Sequence, residues 1–256
     1  MTIKWLVTEG IILIRCQKFI LIANVFVYLH IHTSTMKSFF AKAVSIIFHP
    51  LFLISYVLFY LMLANPFIFG FAGPKSQGLI IISVVTISMM FPLIAILMMR
   101  ALGLIKSLEM EDKMERIGPL IVTGLFYMWL YVNIRNNDVV PEAFSFFILG
   151  STIAVFMALL LNSFTKISLH TIGAGGLVAG MILIVYNWSY GIVDVPFPFL
   201  DLQLRMSDRM VIMIVIIAAG LVGTSRLYLK AHKEDEIYGG YLVGVLAQLV
   251  AFRIFF

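Results

Sequence analysis

Seven apolar runs fill most of the chain after Met36 and limit the kind of fold that it can adopt. A spanning α-helix needs about 20 predominantly apolar residues, with a range of about 17–25. Lipid offers the backbone no hydrogen-bond partners, so such runs must be helical. The sequence therefore predicts an all-α, polytopic transmembrane helix bundle of about seven spans, with six to eight as the range. The runs cover residues 43–65, 78–103, 118–134, 143–163, 168–188, 209–229 and 237–256.

The composition supports this class and excludes others. The chain is 62% hydrophobic and only 12% charged, which is too apolar for one soluble core with a hydrated surface. A single cysteine, Cys16, excludes a disulfide framework and a cysteine metal site. The net charge of +5 lies mostly between the apolar runs, which indicates contact with lipid headgroups and no nucleic-acid partner.

Two regions follow from the distribution of polar residues. Residues 36–256 are predicted to form a single membrane helix-bundle domain. Residues 1–35 contain an apolar stretch broken by Arg15, Gln17 and Lys18, without the small-residue cleavage site of a signal peptide. This segment is either an N-terminal extension or an imperfect membrane helix.

Short connections make neighbouring helices antiparallel, so the loops 104–117, 164–167 and 230–236 fall on one membrane side, called side A. The opposite side is side B. Side A carries more Lys and Arg, and the positive-inside rule would make it cytoplasmic. Three of these cations could serve a site and not report topology. Without them, side A has seven Lys and Arg residues and side B has five, so the sequence does not decide which leaflet holds side A. We expect a bacterial inner (cytoplasmic) membrane.

Three polar segments on side A hold candidate chemistry. In the first, Lys113 and Arg116 are three residues apart and share a helix face. In the second, Ser168 or Thr165 could cap a helix whose first turn contains His170, and helix N-termini favour anions. The alternatives are a solvated charged loop for the first segment and an interfacial histidine bonded to a backbone carbonyl for the second.

The third segment closes one apolar run and opens the next. Arg226 lies inside the run, where an unpaired cation costs several kcal/mol. His232 and Glu236 are four residues apart, so the carboxylate can hold one imidazole nitrogen and raise the basicity of the other. The alternative is a helix-end cluster that reaches the interface. Together, these cations, histidines and carboxylate suit a phosphate ester, with one imidazole as nucleophile and the other as acid.

The order of these residues resembles the type 2 phosphatidic acid phosphatase superfamily of integral membrane lipid phosphatases. Ser225-Arg226, five residues and His232 are spaced as in that family, with Glu236 where the family has Asp. Ser168-Leu-His170 keeps the Ser and His of the family's Pro-Ser-Gly-His motif. Arg116-Ile-Gly-Pro119 has two residues inserted into the family's Arg-Pro, and Lys113 could supply its cation.

The resemblance implies a lipid phosphatase that uses no metal or other cofactor and forms a phosphohistidine. His232 would be the nucleophile, Glu236 its orienting carboxylate and His170 the general acid. The substrates it implies are lipid phosphates and pyrophosphates, such as phosphatidic acid, phosphatidylglycerophosphate, undecaprenyl pyrophosphate and lipid A phosphates. The residues implied to bind phosphate are Lys113, Arg116, Ser168 and Arg226.

Two other functions fit parts of the sequence. An intramembrane prenyltransferase would hold Mg²⁺ on a pyrophosphate with acidic clusters in two side-A loops, here Glu109, Glu111 and Asp112 with 234–236. A transporter, channel or lipid-binding scaffold would use kinks at His49-Pro50 and Pro92 and the glycines of 173–176.

Overall fold

The structure is a computed structural model that describes residues 36–64, 69, 74–110, 112–189, 191–197 and 202–256. The predictions for residues 1–35 lie outside the described residues.

Helices make up most of the described chain, as the sequence predicts. Six of them, counted among the described residues, are long and apolar enough to cross a membrane, and a bent pair is a seventh candidate. The polytopic all-α bundle is therefore confirmed. A π-helical turn, Thr86–Met90, joins the α-helices on either side of it, so the helix is continuous over Gln77–Ala101. The helices are α1 (Met36–Ile47), α2 (Pro50–Ala64), α3 (Pro74–Val85), α4 (Phe91–Ala101), α5 (Lys113–Ile134), α6 (Glu142–Asn162), α7 (Leu169–Trp188), α8 (Asp208–Tyr228) and α9 (Glu234–Phe255).

The first apolar run, 43–65, is not one straight span. The helix breaks at His49, and the axes of α1 and α2 differ by 62°. Pro50 has no N–H to continue the hydrogen bonds of α1, and its ring suits the first position of a new helix. The carbonyl of His49 accepts the first bond of α2 from the Phe52 N–H at 2.9 Å.

The long side-B connection between α7 and α8 contains a two-stranded antiparallel hairpin. Strand β1 is Ile192–Phe197 and strand β2 is Leu202–Ser207, with Ile192 opposite Ser207. The hydroxyl of Ser207 accepts the Met210 N–H at 3.4 Å and so caps α8.

The helices α7 and α9 approach each other closely along a line of glycines. A Cβ at Gly244 would overlap the carbonyl oxygen of Ile172, and one at Gly240 would overlap the backbone of Ser168. Small residues of this kind let helix backbones pack directly in membranes. The contact brings the side-A end of α7, with His170, next to the side-A end of α9, with Glu236.

Candidate functional site

A cavity of about 260 Å³ opens at the side-A end of the bundle. Its walls come from helices α2, α4, α5, α6, α7, α8 and α9, the loop before α5, the break between α1 and α2, and the segment between α8 and α9. Its interior is mainly apolar, and its ionisable groups come from side-A segments. This places the polar residues of three distant sequence segments around one space. The charged and imidazole side chains in its lining are His49, Glu109, Arg116, His170, Arg226 and His232.

His232 is held by Glu236 at the start of α9. The Nδ1 atom of His232 lies 2.9 Å from Oε2 of Glu236 and 3.1 Å from the carbonyl oxygen of Lys166. Both partners can only accept, so Nδ1 carries the proton and Nε2 keeps its lone pair. The same Glu236 oxygen accepts the Lys233 N–H at 3.1 Å, which fixes the carboxylate against the helix start. The pair therefore presents an oriented imidazole whose Nε2 has no hydrogen-bond partner in the part of the chain that the structure describes.

The surroundings of His232 keep its ring neutral. Burial lowers the pKa of His232 below its ordinary value of 6.5. The hydrogen bond that His232 donates to Glu236 raises the pKa, while the cations of Arg116 and Arg226 lower it further. The ring is thus unprotonated at neutral pH, as a nucleophile requires.

His170 lies in the first turn of α7, also in the cavity lining. Its Nε2 atom is 3.1 Å from the carbonyl oxygen of Ser45, and a carbonyl can only accept, so Nε2–H is the donor. The neutral ring then has a bare Nδ1. In this state His170 is a proton acceptor, and the general-acid role implied by the resemblance requires that it first gain a proton.

The two arginines of the cavity differ in burial and in hydrogen bonding. Arg116 is buried, with 5% of its surface exposed, and donates from Nε to the Met110 carbonyl and from Nη1 to the Ile167 carbonyl, each at 3.0 Å. It therefore ties the loop before α5 to the start of α7 and keeps its remaining donors for a ligand. Arg226 is half-buried, and its Nε has no hydrogen-bond partner among the described residues.

Two predicted phosphate ligands do not line the cavity. Lys113 donates from its Nζ to the carbonyl oxygen of Phe164 at 3.2 Å. Ser168 is fully buried beneath α9, where its backbone N–H donates to the Glu236 carbonyl at 3.3 Å. Its hydroxyl has no partner in the described part of the chain. The close α7–α9 contact explains this placement, because Ser168 packs against Gly240 instead of facing the open space.

Sequence reasoning gave no role in this site to three lining residues. The sequence associates His49 only with a kink and Glu109 only with the Mg²⁺ alternative. Gln248, in α9, is 1% exposed and donates from Nε2 to the Phe147 carbonyl at 3.4 Å. A lone glutamine inside an apolar run was the available signal for Gln248, since buried amides need partners.

The Mg²⁺ alternative requires oxygen ligands grouped around one ion. No group of three His, Cys, Asp or Glu side chains is arranged to hold a metal ion in the described ranges. Glu111, one of the carboxylates in that hypothesis, lies outside those ranges.

Comparisons with family models, curated proteins and solved structures find no match to this chain.

Proposed function

We propose that the protein is an integral membrane lipid phosphatase that hydrolyses a phosphomonoester or pyrophosphate of a lipid through a phosphohistidine at His232. The observation that carries the proposal is the bond of Glu236 to Nδ1 of His232, which leaves Nε2 free beside a cavity lined by Arg116 and Arg226. A bare imidazole nitrogen next to two guanidinium groups suits attack on a phosphoryl group. The resemblance of the third motif supports the same assignment.

The proposed first step forms the bond between Nε2 of His232 and phosphorus and breaks the bond from phosphorus to the lipid oxygen. Arg116 and Arg226 neutralise the phosphoryl oxygens while charge redistributes. Glu236 stabilises the positive charge that the imidazole acquires on Nδ1–H.

His170 is proposed to move the protons. Its bare Nδ1 accepts the hydroxyl proton of a singly protonated phosphate monoester and delivers it to the departing lipid oxygen. In the second step, the same nitrogen takes a proton from the water that attacks phosphorus, and the bond from phosphorus to Nε2 of His232 breaks. His170 then gives this proton to the departing phosphate and returns to its neutral state. The proton count closes, because one monoester and one water give one lipid alcohol and one dihydrogen phosphate.

The lipid part of the proposal rests on the apolar depth of the cavity. Arg116 and Tyr127 both line it and are eleven residues apart on α5, which corresponds to a depth of about 16 Å at 1.5 Å per residue. The volume of about 260 Å³ lies just below the common range of ligand pockets. This space suits one chain of a lipid, with its phosphate among the side-A cations.

Phosphate release by the purified protein, measured in EDTA across a panel of lipid phosphates, tests the proposal. We expect release from at least one lipid, and none from His232→Ala. A ³²P label trapped on wild type, absent from that variant, would identify the intermediate. Release retained in His232→Ala would contradict the phosphohistidine. Strict Mg²⁺ dependence with a prenylated product would indicate the transferase instead, and phosphate binding without release would indicate a lipid-binding protein.

A further inference from the structure

A third imidazole faces the site, and the proposed chemistry does not use it. His49 lines the cavity at the break between α1 and α2. Its ring stands perpendicular to that of His170, with 5.2 Å between the two ring centroids. An anion that touches His170 is therefore within reach of His49.

Hydrogen bonds fix which nitrogen of His49 carries its proton. The Nδ1 atom accepts the backbone N–H of Leu51 at 3.4 Å. A backbone N–H can only donate, so the proton of the neutral ring is on Nε2. His170 and His232 have the opposite arrangement, because their N–H groups are used on Ser45 and Glu236 and their other nitrogens are bare. Within the described residues, His49 is the imidazole of this cavity whose free nitrogen is a donor.

A phosphoryl group in the cavity would need a further hydrogen-bond donor, and the Nε2–H of His49 could supply it. A phosphoryl group brings three oxygens that each seek donors. Arg116 already spends two donors on Met110 and Ile167, and Lys113 and Ser168 lie away from the cavity. His49 also stands at the N-terminal end of α2, where the backbone dipole favours negative charge.

We propose that His49 is a phosphate-binding residue, whose Nε2–H donates to an oxygen of the bound phosphoryl group. The α1–α2 break serves to hold this donor opposite His170. The inference rests on the proposed function for its ligand, but phosphate binding is measurable without any turnover, so the two can fail separately.

The experiment measures binding of inorganic phosphate, and separately of a short-chain lipid phosphate in nanodiscs, to the full-length protein. We expect His49→Phe, which keeps a ring beside His170, to weaken both affinities about 10-fold, the value of one neutral donor to an anion. His49→Gln, which keeps a donor, should stay within about threefold of wild type. Phe52→Leu is the matched control, because Phe52 packs on the His49 ring without lining the cavity.

Wild-type affinity in His49→Phe would overturn the assignment, as would an equal loss in Phe52→Leu. Histidine ¹⁵N spectra of the wild-type protein give a second test that needs no folded variant. We expect the Nε2–H resonance of His49 to shift when inorganic phosphate is added, and an unmoved resonance would overturn the proposal. Binding of inorganic phosphate without binding of the short-chain lipid phosphate would reject a lipid phosphate as the ligand. Phosphate binding without lipid phosphate hydrolysis would reject the proposed function and leave the His49 site standing.

Discussion

The carboxylate of Glu236, in the first turn of α9, reaches back to His232 in the segment just before that helix, with 2.9 Å between Oε2 and Nδ1. The same oxygen bonds the backbone of Lys233, so one carboxylate both starts α9 and orients the imidazole. This coupling ties the geometry of the site to the fold of the helix.

Replacing Glu236 with Gln should separate these two tasks. Glutamine can still cap the helix, because Glu and Gln both serve in a capping box. It cannot stabilise a positive imidazole, so we expect kcat for lipid phosphate hydrolysis to fall about 100-fold or more. Thermal unfolding should change little. Glu234→Gln, at an exposed carboxylate of the same turn, is the control and should keep wild-type kcat. An equal loss in both variants would argue against the orienting role.

The two arginines should respond in opposite ways to Leu. Arg226→Leu removes a half-buried cation whose Nε lacks a partner among the described residues, so we expect unchanged stability or a gain of about 1 kcal/mol. Phosphate affinity should fall at least about 10-fold. Arg116→Leu leaves two carbonyls without donors and should cost about 2 kcal/mol or more. Thermal unfolding and phosphate titration of both variants check this, and a strongly destabilised Arg226→Leu would refute it.

The sequence predicts the spans well and the site in part, for different physical reasons. Lipid forces an apolar run such as 143–163 into a helix, and the observed α6 differs from that run by one residue at each end. The His232–Glu236 contact follows from the four-residue spacing, although His232 lies just before α9 begins and not on a face of that helix. The direction of the Lys113 side chain does not follow from the sequence, because a long side chain at the start of α5 could point either way. Asp112 sets that start by accepting the Met114 N–H at 3.1 Å.

The role of His49 was beyond the sequence for a related reason. His49-Pro50 indicates a break, but the angle and direction of a break depend on the packing of neighbouring helices. Only the fold shows that the axes of α1 and α2 differ by 62° and that the Ser45 carbonyl of α1 accepts a hydrogen bond from His170. For Ser168 the sequence predicts a phosphate ligand, but the residue is buried outside the cavity. Its burial depends on how closely α9 approaches α7, which the sequence does not give.

The α7–α9 contact should be sensitive to one methyl group. A Cβ at Gly244 would overlap the Ile172 carbonyl, so we expect Gly244→Ala to destabilise the protein by about 1–3 kcal/mol and to reduce phosphate binding. Gly220→Ala is the matched control, because a Cβ at that position of α8 meets nothing within 4 Å. It should leave the melting temperature unchanged or raise it. Similar melting temperatures for the two variants would refute the close contact.

Filling the apolar part of the cavity should change which substrates are used. Ala154 lines the cavity, and Ala154→Leu would occupy part of its volume. We expect KM for a long-chain lipid phosphate to rise about 10-fold or more, since each buried methylene contributes about 0.8 kcal/mol. The kcat/KM for a short, water-soluble phosphate ester should stay unchanged. Ala218→Leu, at a buried residue outside the cavity, controls for overpacking. An equal effect on long and short substrates would contradict chain binding here.

Acid pH should destabilise the protein through His232. Burial holds the pKa of folded His232 below 6.5, while the unfolded chain titrates near that value. Above pH 6.5 both states are neutral and the group contributes no pH dependence. As the pH falls from 6.5 toward the folded pKa, the unfolded state binds a proton that the folded state rejects, so stability is lost. His232→Gln removes this linkage. The melting temperature of wild type minus that of His232→Gln should therefore decrease below pH 6.5. A difference that stays constant or grows with acid would show that the folded ring binds its proton at least as tightly as the unfolded one.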